Sequence, residues 1–196
     1  MQDAAVDACS LINVIAAAPS LLPLPTSTRR VSAKAKTGVH HLGITLHVPT
    51  KVADEESLYV LQPDKDDSTK LFKAKIDLDP FLKSGLLQRC DLDGEGEPEL
   101  FVQFATRLDD GEAACLAIAK SRGWILATDD RKARTIANAE AVAVMTTPEL
   151  LKQWASISGA CDKEVSEVLQ TIQRFARFVP NPTSPEYQWW VDHLTT

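Results

Sequence analysis

Trp124-Ile125-Leu126-Ala127-Thr128-Asp129-Asp130-Arg131-Lys132-Ala133-Arg134 turns a run of four apolar residues into two adjacent carboxylates and then into a helical pattern that continues to Asn138. The run has the length of a buried strand, and an Asp at its end suits the start of a helix. The same grammar recurs on both sides. Upstream, Ala4-Ala5-Val6-Asp7 is a short apolar strand closed by a carboxylate, and a helix from Leu11 to Ala18 follows, which Pro19 is expected to stop. Between the two, Asp109-Asp110-Gly111-Glu112 opens a helix from Glu112 to Ser121, so rich in Ala that burial on most sides is expected. Downstream, Ala141 to Met145 reads as a further strand. Strands alternating with helices predict a parallel α/β sheet. In such a sheet ligands bind beyond the carboxyl ends of the strands, where these acidic residues stand.

The remaining segments fill in around that frame. Residues 19–41 are rich in Pro, Ser, Thr and Lys and read as a long loop, part of a basic insertion at about 19–47. Pro49 suits the first turn of a helix running to about Leu61. Pro63 to Lys70 reads as a loop, Leu71 to Leu78 as a strand or irregular edge segment, Phe81 to Leu86 as a helix, Leu87 to Leu92 as a strand and Pro98 to Leu108 as a helix. After a helix at Pro148 to Ser156, the residues Val165, Val168, Leu169, Ile172, Phe175, Ala176 and Val179 recur at helical spacing, predicting an amphipathic helix over 163–179. Three prolines then precede a last segment with Trp189 and Trp190. The expected organisation is a domain over 1–147 and a C-terminal helical extension over 148–196 packed on it. Self-association through Trp189 and Trp190, a homodimer, is the second expectation for that stripe.

Composition narrows the class. The 196 residues are 44% apolar, as in a globular protein, and no apolar run is long enough to span a membrane. The stretch Ala4 to Ala18 carries Asp7 and lacks a basic start, so it does not read as a signal peptide. Cys9, Cys90, Cys115 and Cys161 show no Cys-x-x-Cys spacing, which predicts a reduced cytoplasmic protein without zinc. The net charge of −6 argues against a generic nucleic-acid binder. Yet no acidic residue lies between Asp7 and Asp54, where Arg29, Arg30, Lys34, Lys36, Lys51, His40, His41 and His47 gather. That stretch reads either as a solvated basic loop or as a phosphate-attracting patch.

Taken singly, Asp7, Asp110 and Asp129 are explained as helix N-caps, and Glu112 as the capping-box partner of Asp109. Capping leaves a surplus, because neither Asp-Asp pair needs both members. Glu56 adds to it: on a helix bearing Val52, Ala53, Tyr59 and Val60, 100° per residue puts Glu56 at the centre of the apolar face, with Glu55 on its flank. Carboxylates converging without Lys or Arg partners repel one another unless protons or cations neutralise them, and Mg²⁺ or Mn²⁺ suit hard oxygen ligands.

Three stretches carry a resemblance. Val6-Asp7-Ala8-Cys9-Ser10-Leu11-Ile12-Asn13 resembles the opening strand and helix of PIN domains, especially the toxin-like VapC branch. Leu108-Asp109-Asp110-Gly111-Glu112-Ala113-Ala114-Cys115-Leu116-Ala117 resembles the central motif of that family, and Ile125 to Arg134 its fourth acidic motif. The resemblance covers residues 4–145. It implies a three-layer α/β/α fold with a parallel sheet of about five strands, Mg²⁺ or Mn²⁺ in an acidic pocket, and endonucleolytic cleavage of RNA. It also implies the catalytic set Asp7, Glu56, Glu112 and Asp130, with Asp129 as an accessory metal ligand beside Asp7, Glu112 and Asp130. Cys9 departs from the family's small polar residue two positions after the first Asp, with Ser10 adjacent.

The chemistry expected from this set is in-line attack of a metal-activated water on a phosphodiester, with Arg29, Arg30, Lys34 and Lys36 contacting the RNA backbone. A toxin would add an antitoxin partner. The main alternative is a non-catalytic PIN-like module that binds RNA or protein. A phosphoryl-accepting receiver domain would need an acidic pair after the first strand and a Lys after the last, and a Mg²⁺-dependent phosphatase would show Asp-x-Asp. Asp7-Ala8-Cys9 and Ala143-Val144-Met145-Thr146 supply neither.

Overall fold

The computed structural model describes residues 2–21 and 42–195. Most of the predicted basic insertion, including Arg29, Arg30, Lys34, Lys36, His40 and His41, lies outside the described residues. The first strand, β1 (Gln2–Val6), is central because Ala4, Ala5 and Val6 are wholly buried. It pairs in parallel with β2 (Ile44–Pro49) on one side and β6 (Ile125–Ala127) on the other. Outside these lie β5 (Leu87–Cys90), parallel to β2, and β7 (Val144–Met145), parallel to β6. The five-stranded order is therefore β5-β2-β1-β6-β7. The chain builds outward from β1 in one direction, then crosses back to build in the other, which opens a crevice at the carboxyl ends of β1 and β6.

The helices α1 (Ala8–Leu21), α3 (Glu97–Ala105), α4 (Asp110–Arg122), α5 (Arg131–Ala139) and α6 (Thr147–Ser158) flank the sheet in a three-layer α/β/α fold, with the short α2 (Asp79–Ser84) before β5. As its composition implied, α4 is buried from Ala113 through Ala119. Small side chains let it lie close over β1, β2 and β6.

Four expectations are corrected. Helix α1 does not stop at Pro19 but continues to Leu21. Pro49 does not begin a helix: it is the last residue of β2, where β1 has ended its pairing at His47 and no N–H is needed on that side. The helix expected to reach Leu61 is a single π-helical turn, Lys51–Glu55. Glu56 is already extended (φ −84°, ψ 147°), and Tyr59–Pro63 forms β3, paired antiparallel with β4 (Leu71–Lys75) in a separate hairpin. The C-terminal amphipathic helix α7 (Asp162–Phe175) is shorter than 163–179, and Val179 is 47% exposed.

The stripe on α7 is nonetheless covered from within the chain. Val165, Val168, Leu169 and Ile172 are at most 2% exposed, against α1, β3 and α8 (Tyr187–Leu194). Trp190 is fully buried, edge-on to Phe178 at 5.6 Å between centroids, so it is a core residue and not an interface anchor. All four cysteines are free thiols. Among the described residues no helix is long and apolar enough to cross a membrane.

Candidate active site

A cavity of about 310 Å³ sits at the crevice, lined by Asp7, Ala8, Cys9, Glu56, Asp109, Glu112, Asp129 and Asp130. Asp7 reaches it from the end of β1, Asp129 and Asp130 from the end of β6, Asp109 and Glu112 from the start of α4, and Glu56 from the segment leaving β2. The structure thus brings together all five acidic residues expected from the sequence. A second cavity of about 340 Å³, between α1, β3 and α7, is lined by Ile15, Ala16, Val60, Leu61, Phe81 and Phe175 among others and carries no titratable side chain, so it holds none of this chemistry.

Asp7 is 2% exposed. Its Oδ1 accepts from the Ser10 backbone N–H at 2.9 Å, which caps α1, its Oδ2 accepts a short bond from the Thr128 hydroxyl, and the Cys9 thiol donates at 3.1 Å. Burial pushes the carboxyl from 3.8 up to about 6, against the lowering effect of these bonds and with the Asp129 charge adding to the rise. Thr128 also accepts from the Asp130 N–H at 3.0 Å, so one hydroxyl couples the two strand ends.

The Asp129-Asp130 pair divides its work. Asp130 caps α5, its Oδ1 accepting from Ala133 N–H at 2.7 Å. Asp129 does not cap α5. Its Oδ1 accepts from the Thr147 N–H at 2.9 Å at the start of α6, and its Oδ2 accepts from Ser10 Oγ and Asn13 Nδ2, both at 3.1 Å, and from the Thr147 hydroxyl. Burial raises its pKa in spite of these bonds.

Glu112 is pushed from 4.5 up to about 7, first by desolvation and then by the charges of Asp109, Asp130 and Asp7. Glu56 is raised by desolvation and by Asp109 and Asp110. It faces the cavity because its neighbours are drawn elsewhere: Glu55 pairs with Lys51 at 2.9 Å, and Asp54 holds Arg89 through two bonds of 2.9 Å. Gly111 makes the approach possible. A Cβ there would stand 2.0 Å from Glu56 Oε1. Glu56 therefore lines the cleft, but not for the helical reason inferred from periodicity.

Sequence reasoning treated Asp109 only as a cap, yet Asp109 makes no side-chain capping bond and lines the cavity. It also missed the brace of Ser10, Asn13, Thr128 and Thr147. The one local signal for it was a hydroxyl immediately before the Asp pair.

Among the described residues, none of Asp7, Glu56, Glu112, Asp129 and Asp130 is in an ion pair; Lys51 pairs with Glu55 and, at 3.8 Å, Asp110, and Arg134 donates to the backbone carbonyl of Asp130 at 3.4 Å. Also among the described residues, no three His, Cys, Asp or Glu side chains gather closely enough to hold an ion unaided. The donor set still fits Mg²⁺ or Mn²⁺. It is all oxygen and uncompensated by Lys or Arg, and Mg²⁺ ordinarily takes one or two carboxylates with water and substrate phosphate completing its shell. The one soft donor, Cys9, is held as a thiol by burial and by the Asp7 charge, which disfavours thiolate-seeking metals.

The sequence model of the DUF3368 family, a PIN domain, matches residues 45–184, well over half of the chain. The chain belongs to the PIN-domain family. No curated protein and no solved structure matches it. PIN domains are generally nucleases and typically use divalent metals, so at the coarse level this one is a nuclease-type hydrolase. The match begins inside β2 and so does not include β1, the central strand, whose parallel register with β2 and β6 delivers Asp7 to the other carboxylates.

Proposed function

We propose that this PIN domain is a divalent-metal-dependent endoribonuclease that hydrolyses RNA phosphodiester bonds. The observation that carries the reading is the set of six carboxylates on one cleft, Asp109 included, free of ion pairs among the described residues, with Asp7 and Glu112 driven up to about 6 and about 7. Groups this unfavourable together need a cation to be useful at neutral pH. A bound Mg²⁺ or Mn²⁺ supplies a water of lowered pKa and neutralises charge at the phosphate. Asp7 would anchor it, because three donors leave its carboxylate little freedom. Glu112 and Asp130 would supply the protein's remaining contacts, directly or through water, and Asp129, braced from α1 and α6, would hold its charge behind them. Glu56, at the mouth, would orient the attacking water or add a ligand.

The test is incubation of a mixed RNA pool with protein, with Mn²⁺ or with chelator, and with Asp7→Asn as control. Metal-dependent internal cleavage lost in Asp7→Asn is expected; absent cleavage by the wild type would favour the non-catalytic binding module, and cleavage that persists in chelator would overturn the metal dependence. A toxin role, with an antitoxin partner and a cytoplasmic site of action, belongs to this proposal. It is supported by the resemblance of the Asp7, Glu112 and Asp130 motifs to the VapC branch. Growth arrest on expression of the wild type but not of Asp7→Asn would be its signature.

A further inference from the structure

A groove of about 340 Å³ runs between the β3–β4 hairpin and the end of α7, lined among others by Tyr59, Leu61, Leu71, Lys73, Phe175 and Arg177. The hairpin register places Tyr59 opposite Lys75 and Leu61 opposite Lys73. Side chains alternate along strands, so these four share one face and interleave aromatic, aliphatic and cationic groups on it.

Of the 17 Lys and Arg among the described residues, eight pair with a carboxylate, and Lys73, Lys75 and Arg177, all exposed, are among the nine that do not. Arg174 adds charge beside them, its guanidinium 5.2 Å from the Phe175 ring centroid and donating to Ser68 O at 3.2 Å. Arg177 is held at φ +56°, a backbone state rare for a residue with a Cβ. The groove also begins close to the chemistry. Tyr59 lies three residues after Glu56, a chain reach of at most about 10 Å.

An exposed ring, Tyr59, with cations that form no ion pair beside it and the half-buried Phe175 as a wall is what a single-stranded nucleic acid needs, a face for a base and charges for the backbone. An acidic peptide would use the cations but not the ring beside the cleft. We infer that the groove formed by Tyr59, Lys73, Phe175 and Arg177 is a subsite for the RNA strand next to the scissile phosphate, stacking a base and holding backbone phosphates without reading sequence. This rests on the nuclease reading for the identity of its substrate.

The test is fluorescence anisotropy of a labelled single-stranded oligoribonucleotide of mixed sequence, with Asp7→Asn as the parent so that the strand stays intact. Adding Lys73→Ala and Arg177→Gly together should weaken binding by tenfold or more and reduce the salt slope by about 1.4, or 0.7 for each phosphate contact. Tyr59→Ala should weaken binding about fivefold or more with the salt slope unchanged. Lys152→Ala, on α6, should change neither. Arg177→Gly relieves the positive φ, so its melting temperature should not fall, which separates lost binding from lost folding. Wild-type-like affinity and slope in the double variant would overturn the subsite and leave the groove to a protein partner; failure of the parent to bind RNA would overturn it as well. Cleavage by the wild type is scored separately. Binding that depends on Lys73 and Arg177 without any cleavage would sink the nuclease reading alone, and cleavage with unchanged binding would sink the subsite alone.

Discussion

Replacing Asp7 by Asn should make the metal-free protein more stable, by an amount that follows from its burial. In the fold the Asp7 carboxyl titrates at about 6 in place of 3.8. Each pH unit is worth 1.36 kcal/mol, so keeping Asp7 ionised in the folded state costs about 3 kcal/mol. A raised folded pKa means that the native state holds its proton more tightly than the unfolded chain. The penalty is absent below about pH 4, grows between about pH 4 and pH 6, and is complete above. Asn resembles protonated Asp7: its oxygen can still accept from Ser10 N–H, and the Thr128 hydroxyl can turn to accept from the amide. Allowing about 1 kcal/mol for one imperfect hydrogen bond, Asp7→Asn should gain about 2 kcal/mol at pH 8, or about 4–8 °C in Tm for a chain of this size. Thermal unfolding from pH 4.5 to 8 in chelator checks it. Mn²⁺ at a hundred times its Kd should then restore about 2.7 kcal/mol to the wild type and less to Asp7→Asn. Equal stability of the two proteins at pH 8, a difference that does not shrink toward pH 4.5, or an equal response to Mn²⁺ would refute the reasoning.

Gly111→Ala should leave stability within about 1 kcal/mol, since its Cβ meets only the movable end of Glu56 and, at 3.3 Å, Val52. It should nevertheless lower kcat at least tenfold by displacing Glu56, and unaltered kinetics would remove Glu56 from the mechanism. Metal affinity should rise with pH through about 6 to 7, because binding requires Asp7 and Glu112 to release protons; a Mn²⁺ titration flat from pH 5.5 to 8 would contradict this. Arg122→Ala should destabilise by about 3 kcal/mol in chemical denaturation. It strands the buried Glu97 carboxylate, which Arg122 now holds at 2.6 Å, with the Gly94 N–H at 2.8 Å and the Ser121 side chain as its remaining neutral donors. Deletion of residues 160–196 should yield an aggregating chain, because it uncovers the surfaces that bury Val165, Leu169, Ile172 and Trp190. A soluble, active remainder would mark the C-terminal helices as a separable extension.

The elements around the site were legible in the sequence because their signals are local. Trp124 to Ala127 is an apolar run, Ala113 to Ala119 an unbroken Ala-rich apolar stretch, and every site carboxylate but Glu56 stands where a strand ends or a helix starts, so alternation alone implied a parallel sheet and an acidic crevice. Tertiary structure decided the rest wherever a residue's surroundings come from far along the chain. Pro49 is tolerated in β2 because β1 has already stopped pairing at His47, a fact of register. Glu56 reaches the cleft because Gly111, 55 positions later, has no Cβ. Asp129 and Asp130 are chemically identical neighbours, yet one caps its own helix and the other is captured by Ser10, Asn13 and Thr147. The α7 stripe announced that it would be buried, but not that α1, α8 and the hairpin would bury it. Periodicity and capping are properties of a few consecutive residues and can be read from them; which carboxylate is desolvated, braced or left free depends on groups that only the closed sheet and its packed helices bring within hydrogen-bonding distance.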